Sequence, residues 1–294
     1  MRDAFVESII EQGDNRNLYF ITADLGFGSF DLLEKKLGKR YINIGVCEQN
    51  MINVSSGICL SDKKNKVIVY SIGNFPTLRC LEQIRNNICY HKLKVLIVSN
   101  GSGFSYGQLG MSHHSTEDFG IMRSLPEIEI YTPCNSNDAY NLTKNWIHCD
   151  TNKPTYLRLD KSEFNDASIN DIKNEVDYRI ISSKFSRKKN ILEIYFGGIS
   201  SILNDSEIKN DCCLIYRVRK GISQNLVELL SKYKDIHVYE EHNEDCGFGQ
   251  YIICHSIKLK DKQNITVKCI PNIYPSFVGD QKYMRNQLGI KKND

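Results

Sequence analysis

No apolar run in this chain approaches the roughly 20 residues that a membrane-spanning helix requires, so neither a helical membrane protein nor a membrane partner is expected. The opening stretch, MRDAFVESIIEQ, carries acids at Asp3, Glu7 and Glu11 and lacks the basic-then-apolar order of a secretory leader. No C-x-x-C pair occurs among the eleven cysteines, which are odd in number and scattered, with only Cys212 and Cys213 adjacent. That excludes a disulfide scaffold and reads as the reduced thiols of a cytoplasmic protein. No cysteine stands at ligand spacing from the neighbouring His113 and His114, so no zinc site is expected. There is no block of like charge either. The formal net charge is +3 with lysines spread along the chain, which argues against a nucleic-acid partner. Internal repeats and low-complexity segments are absent as well.

What is present is alternation, in a chain of 294 residues, 41% of them apolar, enough for one large or two ordinary domains. Residues 1–12 predict a helix with Phe5, Val6, Ile9 and Ile10 on one face. Nearly all-apolar runs at 18–23 and 66–71 predict strands buried on both faces, as do shorter ones at 95–98, 128–131 and 154–159. Helices are expected between them at 31–37, 77–90, 115–123 and 138–149, the second with Leu81, Ile84 and Ile88 at core spacing. Strands alternating with helices predict a parallel sheet covered on both sides, over residues 1–160. Residues 161–188 turn polar and charged and predict a linker. A second, smaller α/β unit is expected over 189–294, with strands at 191–196, 214–218, 236–239 and 265–269 and helices at 224–233 and 249–257.

Three glycine-marked loops, 24–29, 72–77 and 100–114, fall at the carboxyl ends of expected strands, the edge where open parallel sheets collect ligands. The first does not match a dinucleotide fingerprint. A fourth feature stands with them. Residues 41–57, YINIGVCEQNMINVSSG, predict a strand end, a tight turn and a buried helix. The lone acid of that stretch, Glu48, lies at the helix start, where a carboxylate complements the helix dipole. From the residues alone each candidate keeps a plainer reading. Glu48 is equally a helix-start acid, Phe75 a core aromatic and Asp24 a loop-capping acid. His113 and His114 are equally loop residues, and Arg158 a surface cation.

The order of the motifs resembles the transketolase group of thiamine-diphosphate enzymes. Gly45-Val-Cys-Glu48-Gln49 comes first, then an aromatic turn before Arg79-Cys-Leu-Glu-Gln-Ile84, then Gly103-x-x-x-Gly-x-x-Gly-Met-Ser-His-His114. Deoxyxylulose-phosphate synthase is similar around Glu48, around Glu82 to Ile84 and at the histidine pair. Arg123-Ser-Leu-Pro126, Tyr131-Thr-Pro133, Val238-Tyr-Glu-Glu-His242, Gly247-Phe-Gly249 and Pro275-Ser-Phe-Val-Gly279 extend the likeness over nearly the whole chain. The resemblance implies a pyrimidine-binding domain followed by a transketolase C-terminal domain, with thiamine diphosphate as cofactor. It implies Glu48 as the acid that hydrogen-bonds the aminopyrimidine and so takes part in catalysis, and Phe75 as the ring stacked on it. Asp24 and Arg79 are implied as further cofactor-binding residues. His113 is implied as a catalytic group on the donor's reacting oxygens, His114 as its neighbour in the substrate pocket, and Arg158 as a ligand for an anionic substrate group.

Relatives also carry a Gly-Asp-Gly motif for the diphosphate and its divalent metal. Here Gly-Asp occurs twice, at 13–14 followed by Asn15 and at 279–280 followed by Gln281, so no Gly-Asp-Gly is present. The resemblance therefore implies the second subunit of a split transketolase. A separate N-terminal subunit would hold Mg2+ and the diphosphate, this chain would supply no metal ligand, and the whole would assemble as a heterotetramer acting on a small sugar. Rival readings are the beta subunit of a 2-oxo acid dehydrogenase's decarboxylase and a catalytically silent binding subunit. Where relatives place a hydroxyl-reading Asp this chain has Leu109, and Gly101 and Ser102 fall where relatives place a cationic phosphate ligand. Those departures leave the donor, the acceptor and their phosphorylation open.

Overall fold

The computed structural model describes residues 1–26, 28–167, 169, 172–183, 190–219, 221–257, 259 and 263–292. Phe27 of the first glycine loop and several residues of the stretch expected as a linker lie outside the described residues. The chain is α/β, built on two sheets.

Seven strands form the first sheet: β1 (Leu18–Thr22), β2 (Tyr41–Asn43), β3 (Lys66–Ile72), β4 (Val95–Asn100), β5 (Glu129–Tyr131), β6 (Thr155–Leu159) and β11 (Arg217–Val218). Their spatial order is β11-β5-β6-β4-β3-β1-β2, all parallel except β11, which runs antiparallel to β5. Helices α1 (Arg2–Glu11), α2 (Asp31–Leu37), α3 (Glu48–Ser61), α5 (Asp118–Ser124) and α6 (Ser136–His148) fill the crossovers. Period-two alternation divides each central strand between two core layers. In β3, Val67 and Val69 join one apolar cluster while Ile68 and Tyr70 join the other.

The crossover after β3 departs from the expected regular helix. It is a 3-10 turn (Leu78–Cys80), one α-helical turn, α4 (Leu81–Gln83), and a π-helical run (Ile84–Cys89). The longer π turn still buries Ile84 and Ile88, so the expected core positions hold although the helix type does not. Helix α3 buries Glu48, Met51, Ile52, Ser55, Ser56 and Cys59, a stripe repeating every three to four residues. Leu60 points to solvent, so the helix is half-buried rather than enclosed.

The second sheet has the order β13-β12-β9-β10-β8-β7. It comprises β7 (Ile172–Asn174), β8 (Tyr178–Ile181), β9 (Ile191–Phe196), β10 (Asp211–Ile215), β12 (Asp235–Asn243) and β13 (Asn264–Ile270). Strands β9, β10, β12 and β13 are parallel, and β7 and β8 run antiparallel on one edge. Both β7 and β8 come from residues 161–188, so that stretch is not purely a linker. Its polar composition fits the exposed edge strand β7, whereas β8 pairs on both sides and buries Tyr178, Arg179 and Ile181. Helices α7 (Gln224–Leu230), α8 (Phe248–Ser256) and α9 (Gln281–Gln287) complete the unit. Residues Val67, Val69, Val95 and Ile97 of the first sheet share an apolar cluster with Leu192, Ile194, Ile236 and Val238 of the second. The two sheets therefore have a common core layer. No described helix is long and apolar enough to cross a membrane, and all eleven cysteines are free thiols.

Candidate active site

Neighbouring strands β1, β2, β3 and β4 each end in a loop on the same sheet edge. These loops bring the candidate residues together. After β1, Asp24 adopts a left-handed φ of 56°, and its backbone N–H donates to Asn43 Oδ1 at 3.1 Å. Asn43 Nδ2 returns a bond to Asp24 Oδ1 at 2.9 Å, and the Gly45 N–H donates to Asn43 Oδ1 at 3.0 Å. The short-side-chain hub Asn43 thus ties the β1 loop to the turn that leads into Glu48.

Glu48 begins α3 and is only 2% exposed. Ser71 Oγ, near the end of β3, donates to its Oε1 at 3.1 Å, and Arg79 Nη1 pairs with Oε2 at 2.7 Å. The Arg79 guanidinium carbon stands 4.2 Å from the Phe75 ring centre, a cation–π contact. Its backbone carbonyl accepts from Gln49 Nε2 at 3.0 Å, which holds the turn after β3 against α3. A buried carboxylate, a half-buried aromatic and a flat cation bridging them form one wall.

The β4 loop supplies the opposite wall. The His113 ring sits 5.2 Å from Phe75 in an edge-on arrangement and 6.5 Å from Tyr106. Ser112 Oγ lies 3.0 Å from His113 Nδ1. Close backbone approach makes this pairing possible. Gly73 has a φ of +51°, and a Cβ there would lie 2.9 Å from the His113 carbonyl oxygen. Only glycine combines that conformation with that space. Asn74 Nδ2 donates to the His114 carbonyl, a second tie between the β3 and β4 loops.

Two expected substrate residues are placed elsewhere. The His114 ring is buried. Its Nε2–H donates to the Gly107 carbonyl at 3.3 Å, and its plane meets Phe104 edge-on at 5.0 Å. Burial pushes the imidazole pKa down, the Gly107 bond opposing it, so His114 is a neutral structural group of the loop. Arg158, in β6, is 3% exposed. Its Nε and Nη2 pair with Asp118 at 2.7 and 3.3 Å, and Nη1 reaches Thr132 Oγ1 at 3.5 Å. Tyr156 OH also donates to Asp118, at 2.6 Å. From β12, His242 Nε2 lies 3.4 Å from Asp118 Oδ1 while its Nδ1 meets Glu240 Oε2 at 2.8 Å. Burial alone would push the Asp118 carboxyl up, but Arg158 and His242 outweigh it and hold the group well below the usual carboxylate range. Arg158 therefore belongs to a buried ion network that locks the two sheets together, and this environment corrects its expected exposure to substrate.

Sequence reasoning missed Ser71, the hydroxyl on Glu48, and Tyr106, the aromatic beside His113. It also missed the partners of Arg158. Ser71 is the single small polar residue at an otherwise apolar and aromatic strand end, a signal that was there to read. Among the departures, Leu109 is 56% exposed on the rim, and Ser102 Oγ is spent on Asp160 Oδ2 at 2.6 Å. The Gly101 position faces the Tyr106 ring. Among the described residues no group of three or more His, Cys, Asp or Glu side chains converges as a metal site.

The geometry fits the pyrimidine end of thiamine diphosphate on an internal observation. A planar N–H donor, the Arg79 guanidinium, already lies over the Phe75 ring at 4.2 Å and hydrogen-bonds Glu48, the two groups an aminopyrimidine would meet.

Residues 1–166 match the family described as "Transketolase, pyrimidine binding domain". A protein of Methanocaldococcus jannaschii named as a transketolase C-terminal section is 31% identical over 266 residues, covering 85% of this chain and 79% of its own length. One of the subunits of an apulose-4-phosphate transketolase from Actinobacillus succinogenes is 25% identical over 264 residues, covering 87% of this chain and 82% of its own. A solved structure titled "Split gene transketolase, inactive beta4 tetramer" shares the fold at a TM-score of 0.80 and 21% identity, covering 99% of this chain and 93% of that one. Motif order, the Glu48–Phe75–His113 grouping and these likenesses agree: the chain belongs to the transketolase family.

Proposed function

We propose that this chain is the C-terminal subunit of a two-chain, thiamine-diphosphate-dependent transketolase. It transfers a two-carbon ketol or acyl fragment from a ketose or 2-oxo acid donor to an aldehyde. The observation that carries this reading is the buried Glu48, held between Ser71 and Arg79 beside Phe75 and His113. Thiamine diphosphate, when bound, would supply the nucleophile and the electron sink needed to break the donor's carbon–carbon bond.

This chain's residues do the rest. Glu48 holds a proton against the pyrimidine ring nitrogen through Oε2, the oxygen that Arg79 occupies in the free chain, while Ser71 keeps Oε1. Phe75 provides the stacking face. Arg79 neutralises Glu48 in the free chain, and Asp24, fixed by Asn43, lies on the same edge. His113 faces Phe75 and moves a proton to or from the donor's oxygens. His114 and Arg158 act by holding the β4 loop and the sheets in place.

Partner dependence is part of the proposal: a separate N-terminal chain with a Gly-Asp-Gly motif holds Mg2+ and the diphosphate, and the pair assembles as a heterotetramer in the cytoplasm. The neighbour titled as an inactive tetramer of a split-gene transketolase supports a chain that needs its partner. With Leu109 on the rim and no cation at Gly101 or Ser102, the substrates differ from the usual sugar-phosphate pair in stereochemistry or in bulk. Reconstituting the chain with a Gly-Asp-Gly partner and assaying ketol transfer across donors tests the function. Activity abolished by Glu48→Ala is expected. A proven complex with no transfer from any ketose or 2-oxo acid overturns the function. Full activity on xylulose and ribose phosphates overturns the substrate assignment.

A further inference from the structure

A cavity of about 690 Å³ opens in the second unit, where the chain after β6 meets the 3-10 stretch Gly197–Asp205 and helix α9. That volume is within the range of small-molecule pockets, and the lining shares no residue with the Glu48 site. Its electrostatics are unbalanced. Four cations, Lys282, Arg285, Lys291 and Lys292, line it against two carboxylates, Glu163 and Asp205.

The carboxylates are already engaged. Asp205 takes Lys282 at 2.8 Å, and Glu163 accepts the Ser136 backbone N–H at 2.8 Å. Lys292 is committed to Glu193 at 3.4 Å and to the Glu207 carbonyl at 2.7 Å. Two cations retain capacity. Lys291 is exposed and has no ion pair among the described residues. Arg285, only 6% exposed, donates through Nε to Glu241 at 2.6 Å and through Nη1 to Ser201 Oγ at 3.0 Å. Its Nη2 has no hydrogen-bond partner among the described residues. A buried guanidinium nitrogen without an acceptor is costly, and it is the group that an oxyanion satisfies best. Ser201 accepts from Arg285, so its own O–H remains available to donate.

We propose that this cavity binds a small phosphate monoester, with Arg285 and Ser201 at its base and Lys291 at its mouth. Three separate donors, on Arg285, Ser201 and Lys291, match the three terminal oxygens of a phosphate monoester better than the two of a carboxylate. Binding requires neither thiamine diphosphate nor a partner chain.

The test is calorimetric titration of glucose 6-phosphate into the full chain at constant ionic strength, without thiamine diphosphate or metal, with glucose and inorganic phosphate as parallel probes. Saturable binding of the phosphates but not of glucose is expected. It weakens about tenfold or more in Arg285→Lys, which keeps the charge but loses the fork, and in Lys291→Glu. Lys291 is on the surface, so that variant answers even where Arg285→Lys fails to fold. Absence of saturable binding, or binding unchanged in Lys291→Glu, would overturn the proposal.

Discussion

Arg79 and Glu48 form an ion pair, Nη1 to Oε2 at 2.7 Å, in which the carboxylate is buried and the guanidinium side chain is 43% exposed. The asymmetry has consequences for both partners. Glu48 cannot leave, because α3 and β3 enclose it, whereas Arg79 can swing toward solvent once another donor meets the carboxylate, since a buried charge left without its partner is costly. A ligand that offers Glu48 an N–H and Phe75 a flat face can therefore take over both contacts.

Removing the carboxylate should leave the fold intact. In Glu48→Gln the Ser71 bond can persist and Arg79 relaxes outward, so the melting temperature should stay close to that of the parent. Turnover in the reconstituted complex should fall by about 10²–10⁴ or more, the range for loss of a general acid–base group. Parallel thermal denaturation and steady-state assays check both halves. Collapse of the fold in Glu48→Gln would make this acid structural.

Phe75→Leu removes the flat face, and cofactor affinity in the complex should drop by up to about tenfold, since the ring's contribution beyond its area is about 0.5–1.5 kcal/mol. Arg79→Lys alters only the group that the cofactor displaces, so affinity should hold within about twofold. Calorimetric Kd values for both variants decide this: unchanged affinity in Phe75→Leu would remove the ring from the cofactor's surroundings, and a loss of about tenfold in Arg79→Lys would make the guanidinium a cofactor ligand.

His113→Asn should separate chemistry from cofactor binding. Its ring touches Phe75 edge-on and its Nδ1 lies 3.0 Å from Ser112 Oγ, while no bond links it to Glu48 among the described residues. Cofactor affinity should hold within about twofold while kcat falls by roughly 10²–10⁴. Equal losses in both would make His113 a cofactor ligand instead.

The Asp118–Arg158–His242 network should set the pH profile of stability. Asp118 has a folded pKa below its unfolded value of about 3.9, so its contribution is present above that pH and disappears as pH falls toward the folded value. His242 moves the other way. Burial and Arg158 push its pKa down, but Asp118 and Glu240 prevail and raise it. Its contribution is complete below about pH 6.5 and declines as pH rises through the folded pKa. Denaturant unfolding across pH should therefore show an alkaline loss that His242→Gln removes. Asp118→Asn should cost about 3–5 kcal/mol near neutrality, because it leaves Arg158 buried without its counter-ion. A cost below about 1 kcal/mol would mean the network is not the lock between the sheets.

The geometry of the candidate site was legible in the sequence where the signal is local. A strand end, a glycine turn and a helix start lie within a few residues of one another around Glu48, and the turn chemistry that places them is written in the same residues. The parallel first sheet was legible for the same reason, each buried strand being an apolar run of its own. Arg158 was not legible, because its identity as a strand-end cation is the same whether it faces a substrate or Asp118. The deciding partners, Asp118 and His242, arrive from a different helix and a different sheet. His114 differs from His113 only in which way the loop turns, which is set by contacts to Phe104 and Gly107 and not by its neighbours in sequence. Strand β7 escaped because an edge strand with a solvated face needs little apolar pattern, and β8 because its four residues include the charged Arg179, whose partners Asp138 and Asp166 are distant in sequence.

The central claim is that this chain carries the pyrimidine half of a thiamine-diphosphate site and depends on a second chain for the rest. Calorimetric titration of thiamine diphosphate with Mg2+ into the chain alone, then into the chain mixed with an N-terminal partner that carries Gly-Asp-Gly, tests it most directly. The account predicts saturable binding only in the mixture and its loss in Glu48→Ala. Tight binding by the chain alone, or none in a proven complex, would contradict it.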